Sequence, residues 1–519
     1  MATALAEPGL LERIGRLGDA DTLVTDSAEL AFYGGDVFRE GPTPFAVFRP
    51  ATVDALAAGV GAATAAGVPV IPRGGGMSYT GGYLAPEAGA LLVDTGRLDR
   101  IVRISPEDMT VTVEAGCTWA KLREALAPYR LRPPMWGTLS GVRATVGGGL
   151  SQNGVFWGTG RHGSAAESAL AFHVVLADGR VLSTGNGFFR PFGPDVTGLF
   201  AADTGALGIK ARVTLRLLPE PRHHATASWR FPDEASAMRA LAAISREGLA
   251  TELFGFDAFL QAQRMKRDSL AADAAALGRA VKAQGGLIQG LKTGAKIALA
   301  GRSFLDQAGA SLHFITEARH DAAARADRDE ADRLARAEGG SPVPDTIPTV
   351  LRASPFPPVN SMLGPEGERW VPVHALFPHS RALEAWDELQ ALKAREASAC
   401  GAAGVGIGAM FVGVGHGITL IEPVFFWPGA HHAIHERSVE PTHLARLPRH
   451  QHSPEAQALV ERLRSEMVEL FGRHGAAHLQ IARTYPLRAS HDPAAWAVLR
   501  ALKATVDPRG LMNPGSLGL

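Results

Sequence analysis

The stretch Pro72-Arg73-Gly74-Gly75-Gly76-Met77-Ser78-Tyr79-Thr80-Gly81-Gly82 follows a short apolar run, residues 68–72, that reads as a strand. Its glycines carry no Cβ, so the backbone can approach a ligand closely. Successive N–H groups in such a run can cup an anion, as at many phosphate sites. A second stretch has the same character: Trp136-Gly137-Thr138, then Thr145-Val146-Gly147-Gly148-Gly149-Leu150-Ser151-Gln152-Asn153-Gly154. Neither is G-x-G-x-x-G opening a helix after a strand, and neither is G-x-x-x-x-G-K-[ST], so dinucleotide-fold and P-loop readings are weak. With 59 glycines in the chain, a single run can be a plain turn. Two runs with strand signals between and after them point instead to paired ligand-binding loops.

Working outward, residues 52–67 carry Val53, Leu56, Val60 and Ala63 on one helical stripe. Residues 90–94 and 109–114 read as strands and 119–126 as a short helix, which suggests small α/β units around the loops. Ala177-Asp178-Gly179 is flanked by the strand-like segments 172–176 and 180–183, a two-strand hairpin signal. Residues 213–218 form another strand, and Pro219 and Pro221 then punctuate the chain. Further on, residues 235–246 and 381–399 are helical by pattern, and 370–377 and 418–426 are strands. The Ala-, Arg- and Asp-rich block 257–336 is expected to be helical. Within it, residues 285–305 are apolar with a few cations, which suits a lid helix or an interfacial one touching a membrane peripherally. Residues 493–505 close the chain with a helix.

Hydrophobic residues make up 46% of the 519-residue chain and charged residues 20%, as in an ordinary globular enzyme. Lys+Arg and Asp+Glu are equal at 52 each, so no basic footprint points to nucleic acid. Cys117 and Cys400 offer neither a disulfide framework nor zinc spacing. The first residues lack a basic segment leading into an apolar core, and no transmembrane stretch of about 18 apolar residues is present. A cytoplasmic location is the expectation.

In order and spacing these pieces resemble the flavoproteins of the vanillyl-alcohol oxidase and p-cresol methylhydroxylase superfamily. Residues 72–82 look like its first flavin-pyrophosphate loop and 145–154 like its second. Val113-Glu114-Ala115-Gly116-Cys117-Thr118-Trp119, Gly205-Ala206-Leu207-Gly208-Ile209 and Val506-Asp507-Pro508-Arg509-Gly510-Leu511-Met512-Asn513-Pro514-Gly515 resemble further family elements. The resemblance implies an α+β fold: a two-subdomain FAD-binding domain (1–222), an α+β cap domain of antiparallel sheet covered by helices (223–480), and a C-terminal segment (481–519) returning to the FAD domain. The cofactor contacts it implies are Pro72, Arg73, Gly74, Gly75, Gly76, Met77, Ser78, Tyr79, Gly137, Thr138, Thr145, Gly147, Gly148, Asn153, Gly154, Gly208, Ile209 and Asn513. One branch tethers FAD through a histidine where this chain has Met77, and another through a cap histidine where it has Glu368, Arg369 and Trp370. Non-covalent FAD is therefore expected. Related enzymes are often dimers, and a homodimer is expected by resemblance alone. The electron acceptor stays open.

Flavin chemistry needs a donor C–H held over the ring and a way to manage the donor's proton or charge. Arg483 matches the family's phenolate-binding arginine, while Ala482 stands where that branch has tyrosine; Tyr485 is the substitute hydroxyl. A guanidinium also suits a substrate carboxylate. His416 and Glu422 fall near the metal-bearing cap strand of the D-lactate dehydrogenase branch, which makes them a candidate divalent-metal pair. His416 is alternatively a general base. Ordinary ion-pair roles for Arg483 and for a His416–Glu422 pair stand beside these. Ser164 replaces an acid of the phenol-oxidising branch, and Arg161 and His162 are candidates to face the flavin's pyrimidine end. The histidines at 431, 432, 435, 443, 450 and 452 read as a polar surface loop. The leading expectation is an FAD-dependent enzyme that takes hydride from an alcohol carbon of a small-molecule substrate, a 2-hydroxy acid first. A 4-substituted phenol or benzylic alcohol is second, and a non-catalytic flavin or electron-transfer protein third.

Overall fold

Helix Val53–Ala65 shows how the first layer forms. The Thr52 hydroxyl caps it, accepting from Ala55 N–H at 3.1 Å. Val53, Leu56, Val60 and Ala63 are buried on one stripe. Gly59 lets the helix lie flush on the sheet, since a Cβ there would stand 2.3 Å from the Phe48 ring. The computed structural model describes residues 9–266 and 309–519; the segment 285–305 lies outside them.

The first sheet is four-stranded, in the order Leu23–Val24, Ala46–Phe48, Leu91–Asp94, Val70–Arg73. Its last three strands run parallel, and Val70–Arg73 ends by delivering the first glycine run. The second sheet is five-stranded and antiparallel: Ile101–Ser105, Thr110–Glu114, Ile209–Arg216, Ala169–Val175, Val181–Ser183. Alternation sets its faces: Val111 and Val113 are fully buried, while Thr112 and Thr214 share a 2.9 Å hydroxyl bond on the other face. The expected strand at 213–218 is thus longer and begins earlier.

The chain then enters an eight-stranded antiparallel cap sheet, in the order Ser341–Val343, His223–Phe231, Ala310–Ala318, Glu252–Phe256, Gly406–Val414, Ile418–Trp427, Arg369–Pro372, with Ala375–Pro378 also pairing with Ile418–Trp427. Helices Glu234–Arg246, Asp321–Ala337, His379–Ala403 and Pro454–Arg473 pack on this sheet. Its aromatic face, with Phe254, Phe256, Val424 and Phe426, meets Trp136, Phe156 and Trp157 of the N-terminal layers. Two readings need correction. Ala310–Ala318 is a strand inside the block expected to be helical, because its nearly continuous burial suits a central strand better than an amphipathic helix. Residues 370–377 are two strands, broken at Val373 and His374. The end of the chain returns to the first sheet: Val70 N–H donates to Leu511 O at 2.8 Å.

Candidate active site

Beyond Arg73 the two glycine runs press backbone to backbone. A Cβ on Gly75 would lie 2.0 Å from the Arg143 carbonyl oxygen, and one on Gly74 would lie 2.5 Å from Thr145 Oγ1. Between them opens a cleft. Pro72, Arg73, Gly74, Gly75, Gly76, Met77 and Ser78 line one wall. Thr138, Thr145, Gly147, Gly148 and Gly154 line the other, and Gly208 and Ile209 close it.

Four expected contacts lie elsewhere. Gly137 packs under Phe356 and Trp119. Asn153 holds a left-handed turn (φ 52°) and accepts from Ala166 N–H. Asn513 is fully buried and donates to the carbonyls of Gly82 and Thr204, both at 2.8 Å, tying the C-terminus to the loops. Tyr79 turns toward the cap. Sequence reasoning missed Lys210, Gln152 and Gln480 on the cleft wall.

The cleft suits a dianionic pyrophosphate. Arg73 is buried between the rings of Phe32 and Tyr33, each 4.7 Å away, with Nε and Nη2 unpartnered and no ion pair among the described residues. Burial, and then the Arg73 charge, lower the neighbouring Arg143. Two partly desolvated cations beside a glycine-walled cleft call for an anion.

A second cluster sits where Met77 and Ser78 meet the cap. Gln480 bridges to it, accepting from the Ser78 hydroxyl at 2.9 Å and donating to the Tyr79 hydroxyl at 3.0 Å. Tyr79 meets Trp370 edge-on at 5.6 Å. Tyr485 is sandwiched between His374 (5.0 Å) and His478 (4.2 Å), and its hydroxyl accepts from His374 N–H at 2.9 Å. Burial, with the nearby Glu422 charge, pushes both phenols up, so they stay protonated. Glu422, mid-strand in Ile418–Trp427, has a carboxyl pushed up to about 7 by burial, with the Arg264 charge opposing. Arg264 is itself lowered by burial, and its Nε has no partner among the described residues. Arg464 is buried against Phe38 and donates to Tyr79 O at 2.9 Å.

Other sequence candidates separate from this cluster. His416 is exposed in the turn between Gly406–Val414 and Ile418–Trp427, six residues before Glu422. At roughly 3.3 Å per strand residue, the two cannot share a metal. No set of three or more metal-ligating side chains occurs among the described residues. Arg483 is a strut: it donates to Gly81 O at 2.5 Å, Asn513 Oδ1 at 2.8 Å and Pro514 O at 2.7 Å. Replacing Arg483 with alanine is expected to lower stability by about 2–4 kcal/mol through orphaned acceptors. The reduction rate per bound flavin should stay unchanged, as thermal melts and flavin-normalised stopped-flow traces will show.

Arg161, a candidate for the flavin's pyrimidine end, has its guanidinium on the carbonyls of Gly248 (3.0 Å) and Leu249 (2.9 Å). His162 beside it is held down to about 4 by burial and by Arg132. Ser164 caps a short helix with Glu167. Nor is the histidine-rich stretch a surface loop throughout. His435 is fully buried, bonded to Val37 O at 3.2 Å, and His432 contacts Arg369 at 2.7 Å. His435, on Val37 O, and Arg369, donating to Phe38 O, clamp the cap onto the N-terminal layer.

Comparison with known proteins matches this geometry. Residues 44–185 match the FAD binding domain model, and residues 445–517 match the model for the C-terminal domain of FAD linked oxidases. In both of these segments the chain is similar to FAD-linked oxidases. It is 29% identical over 233 residues to a mitochondrial D-lactate dehydrogenase [cytochrome] of Arabidopsis thaliana, covering 44% of this chain and 40% of that protein. It is 30% identical to D-2-hydroxyglutarate dehydrogenase of Xanthomonas citri pv. viticola, covering 45% of this chain and 49% of that protein. The chain spans about half the length of the curated relatives it matches, or less. In structure, substrate-bound p-cresol methylhydroxylase superposes with a TM-score of 0.70 at 18% identity, covering 98% of this chain and 96% of that one. A 4-ethylphenol oxidase from Gulosibacter chungangensis gives 0.70 at 16% identity, covering 98% and 96%. The glycine-walled cleft lies largely within the first matched segment, and Gln480, in the second, reaches its wall. No helix among the described residues is long and apolar enough to cross a membrane.

Proposed function

We propose that the chain is an FAD-dependent oxidoreductase that takes hydride from the CH–OH carbon of a 2-hydroxy acid. The observation that carries this reading is Glu422: a half-buried carboxyl pushed up to about 7, beside the phenols of Tyr79 and Tyr485 and the guanidinium of Arg264. Bound FAD supplies the hydride acceptor. Glu422 takes the donor's hydroxyl proton, a task suited to a base poised near neutral pH. Tyr79 and Tyr485 each accept one hydrogen bond, which leaves their own O–H groups to donate to the donor's oxygen. Arg264, not Arg483, is the carboxylate partner, since a substrate carboxylate would complete its hydrogen bonding and charge. The names of the D-lactate and D-2-hydroxyglutarate dehydrogenase relatives agree with this class.

The paired phenols also favour a second reading, oxidation of a 4-substituted phenol or benzylic alcohol. Anaerobic bleaching of the yellow protein by D-lactate and, in parallel, by vanillyl alcohol separates the two. Replacing Arg264 with methionine is expected to raise KM for hydroxy acids about 10–100-fold while sparing uncharged alcohols; an equal effect on both would remove the carboxylate contact. Met77 on the cleft wall supports non-covalent FAD, and acid precipitation is expected to leave the yellow colour in the supernatant.

A further inference from the structure

His374 sits at the break between the strands Arg369–Pro372 and Ala375–Pro378. Both strands pair with Ile418–Trp427 in one unbroken register, Pro372 opposite Val424 and Ala375 opposite Ile421. That register sets His374 directly across from Glu422, and facing residues on adjacent antiparallel strands lie within side-chain reach. The imidazole is only 1% exposed, yet neither ring nitrogen has a hydrogen-bond partner among the described residues.

The backbone of this residue is held on both sides. Its N–H donates to the Tyr485 hydroxyl at 2.9 Å, and its carbonyl accepts from His478 Nδ1 at 2.9 Å. Its ring lies 6.1 Å from that of Tyr79 and 5.0 Å from that of Tyr485. The fold therefore fixes the position of this ring and leaves both of its nitrogens unpaired. Buried polar groups are normally satisfied, and one left bare beside a binding cluster marks a group that a ligand completes. Burial, then His478 and Arg464, hold the ring down to about 3, so it is neutral, with one N–H donor and one acceptor nitrogen.

We propose that His374 is a catalytic residue that donates a hydrogen bond to the oxygen of the CH–OH group being oxidised, across the sheet from the carboxylate that accepts that group's proton. The inference rests on the reading of this cluster as a CH–OH-oxidising site. In the step, the donor's C–H bond breaks and its electron pair leaves with the hydride for the flavin, which is reduced by two electrons. The O–H proton passes to Glu422 and the C–O bond becomes C=O. The imidazole keeps its own proton and stabilises the charge on oxygen while it develops.

The test uses the FAD-loaded full chain as wild type, His374→Phe, His374→Gln and Glu422→Gln. Each is reduced anaerobically by D-lactate and by vanillyl alcohol across the pH range around neutrality, with dithionite reduction and flavin content as controls. The expected result is a loss of about 100-fold in the limiting reduction rate of His374→Phe, with KM changed far less. Partial rescue of about 10-fold in His374→Gln is expected, because its amide restores a donor. Dithionite reduction and flavin content should not change, and the pH limb near 7 should persist in His374→Phe and vanish in Glu422→Gln. A His374→Phe enzyme reduced at the wild-type rate while Glu422→Gln is slow would overturn the role of His374 and leave the site reading standing. Wild-type bleaching that neither substitution slows would overturn both, as would a wild type that neither donor bleaches. If His374→Phe loses its flavin, His374→Gln decides: a wild-type rate overturns the contact, and a drop of about 10-fold supports it.

Discussion

Replacing Glu422 with glutamine is expected to slow substrate-driven flavin reduction by about 1,000-fold, within the range typical for loss of a general base. The wild-type rate should rise with pH through about 7 and then level off, because the carboxylate form is the one that accepts the proton. The variant should lose that limb. Stability should move the other way. The folded-state value of about 7 lies above the ordinary 4.5, so the native state keeps a proton that the unfolded chain gives up. Stability attributable to this group is fully present below about 4.5 and is lost as pH rises to about 7, amounting to about 3 kcal/mol. Glutamine carries no such charge, so the variant should melt higher than wild type at about pH 8, with the difference shrinking toward pH 4. Pairing stopped-flow reduction with pH-resolved melting checks both halves; a slow variant with an unchanged pH profile would place the base elsewhere.

Replacing Gly75 with alanine is expected to give a folded but colourless protein. The added methyl would stand 2.0 Å from the Arg143 carbonyl oxygen, 2.7 Å from its carbon and 3.1 Å from Ala144 Cα. All three are backbone atoms of the segment leading into the facing run, so no side-chain rotation relieves the clash, and the two walls of the cleft must part. Affinity for FAD should fall about 100-fold, as overpacking a close-packed contact costs about 1–3 kcal/mol. Gly472→Ala is the matched control: it lies in helix Pro454–Arg473, and nothing stands within 4 Å of its added Cβ. That variant should bind FAD normally and be unchanged or slightly more stable. Normal flavin content in Gly75→Ala would show that the two runs do not need to stay in contact.

Much of this molecule was legible in its residues because the signals are local. The helix read at 119–126 is Trp119–Leu126 in the structure. The helix at 52–67 is Val53–Ala65, started by the Thr52 hydroxyl. Both glycine runs line one cleft. The site is different. Gln480 reaches Ser78 and Tyr79 across some four hundred residues of chain. Arg483 was attractive by position and type, yet its guanidinium is taken by Gly81, Asn513 and Pro514. Glu422 was singled out with His416 as its partner, but the strand carries the two apart and sets His374 opposite Glu422 instead. One signal was available: a histidine and a glutamate, each interrupting an otherwise apolar strand, are expensive to bury and ask for a reason.

Capped and periodic elements and the glycine loops are written locally, since capping, periodicity and the lack of a Cβ act within a few residues, whereas the central strand Ala310–Ala318 is not. The tertiary structure alone decided which charged and hydroxyl groups face the cleft. Register pairs residues far apart in the chain, and burial then sets their protonation: Glu422 lifted to about 7, and His374 held neutral. Neither effect has a signature in the neighbours along the chain.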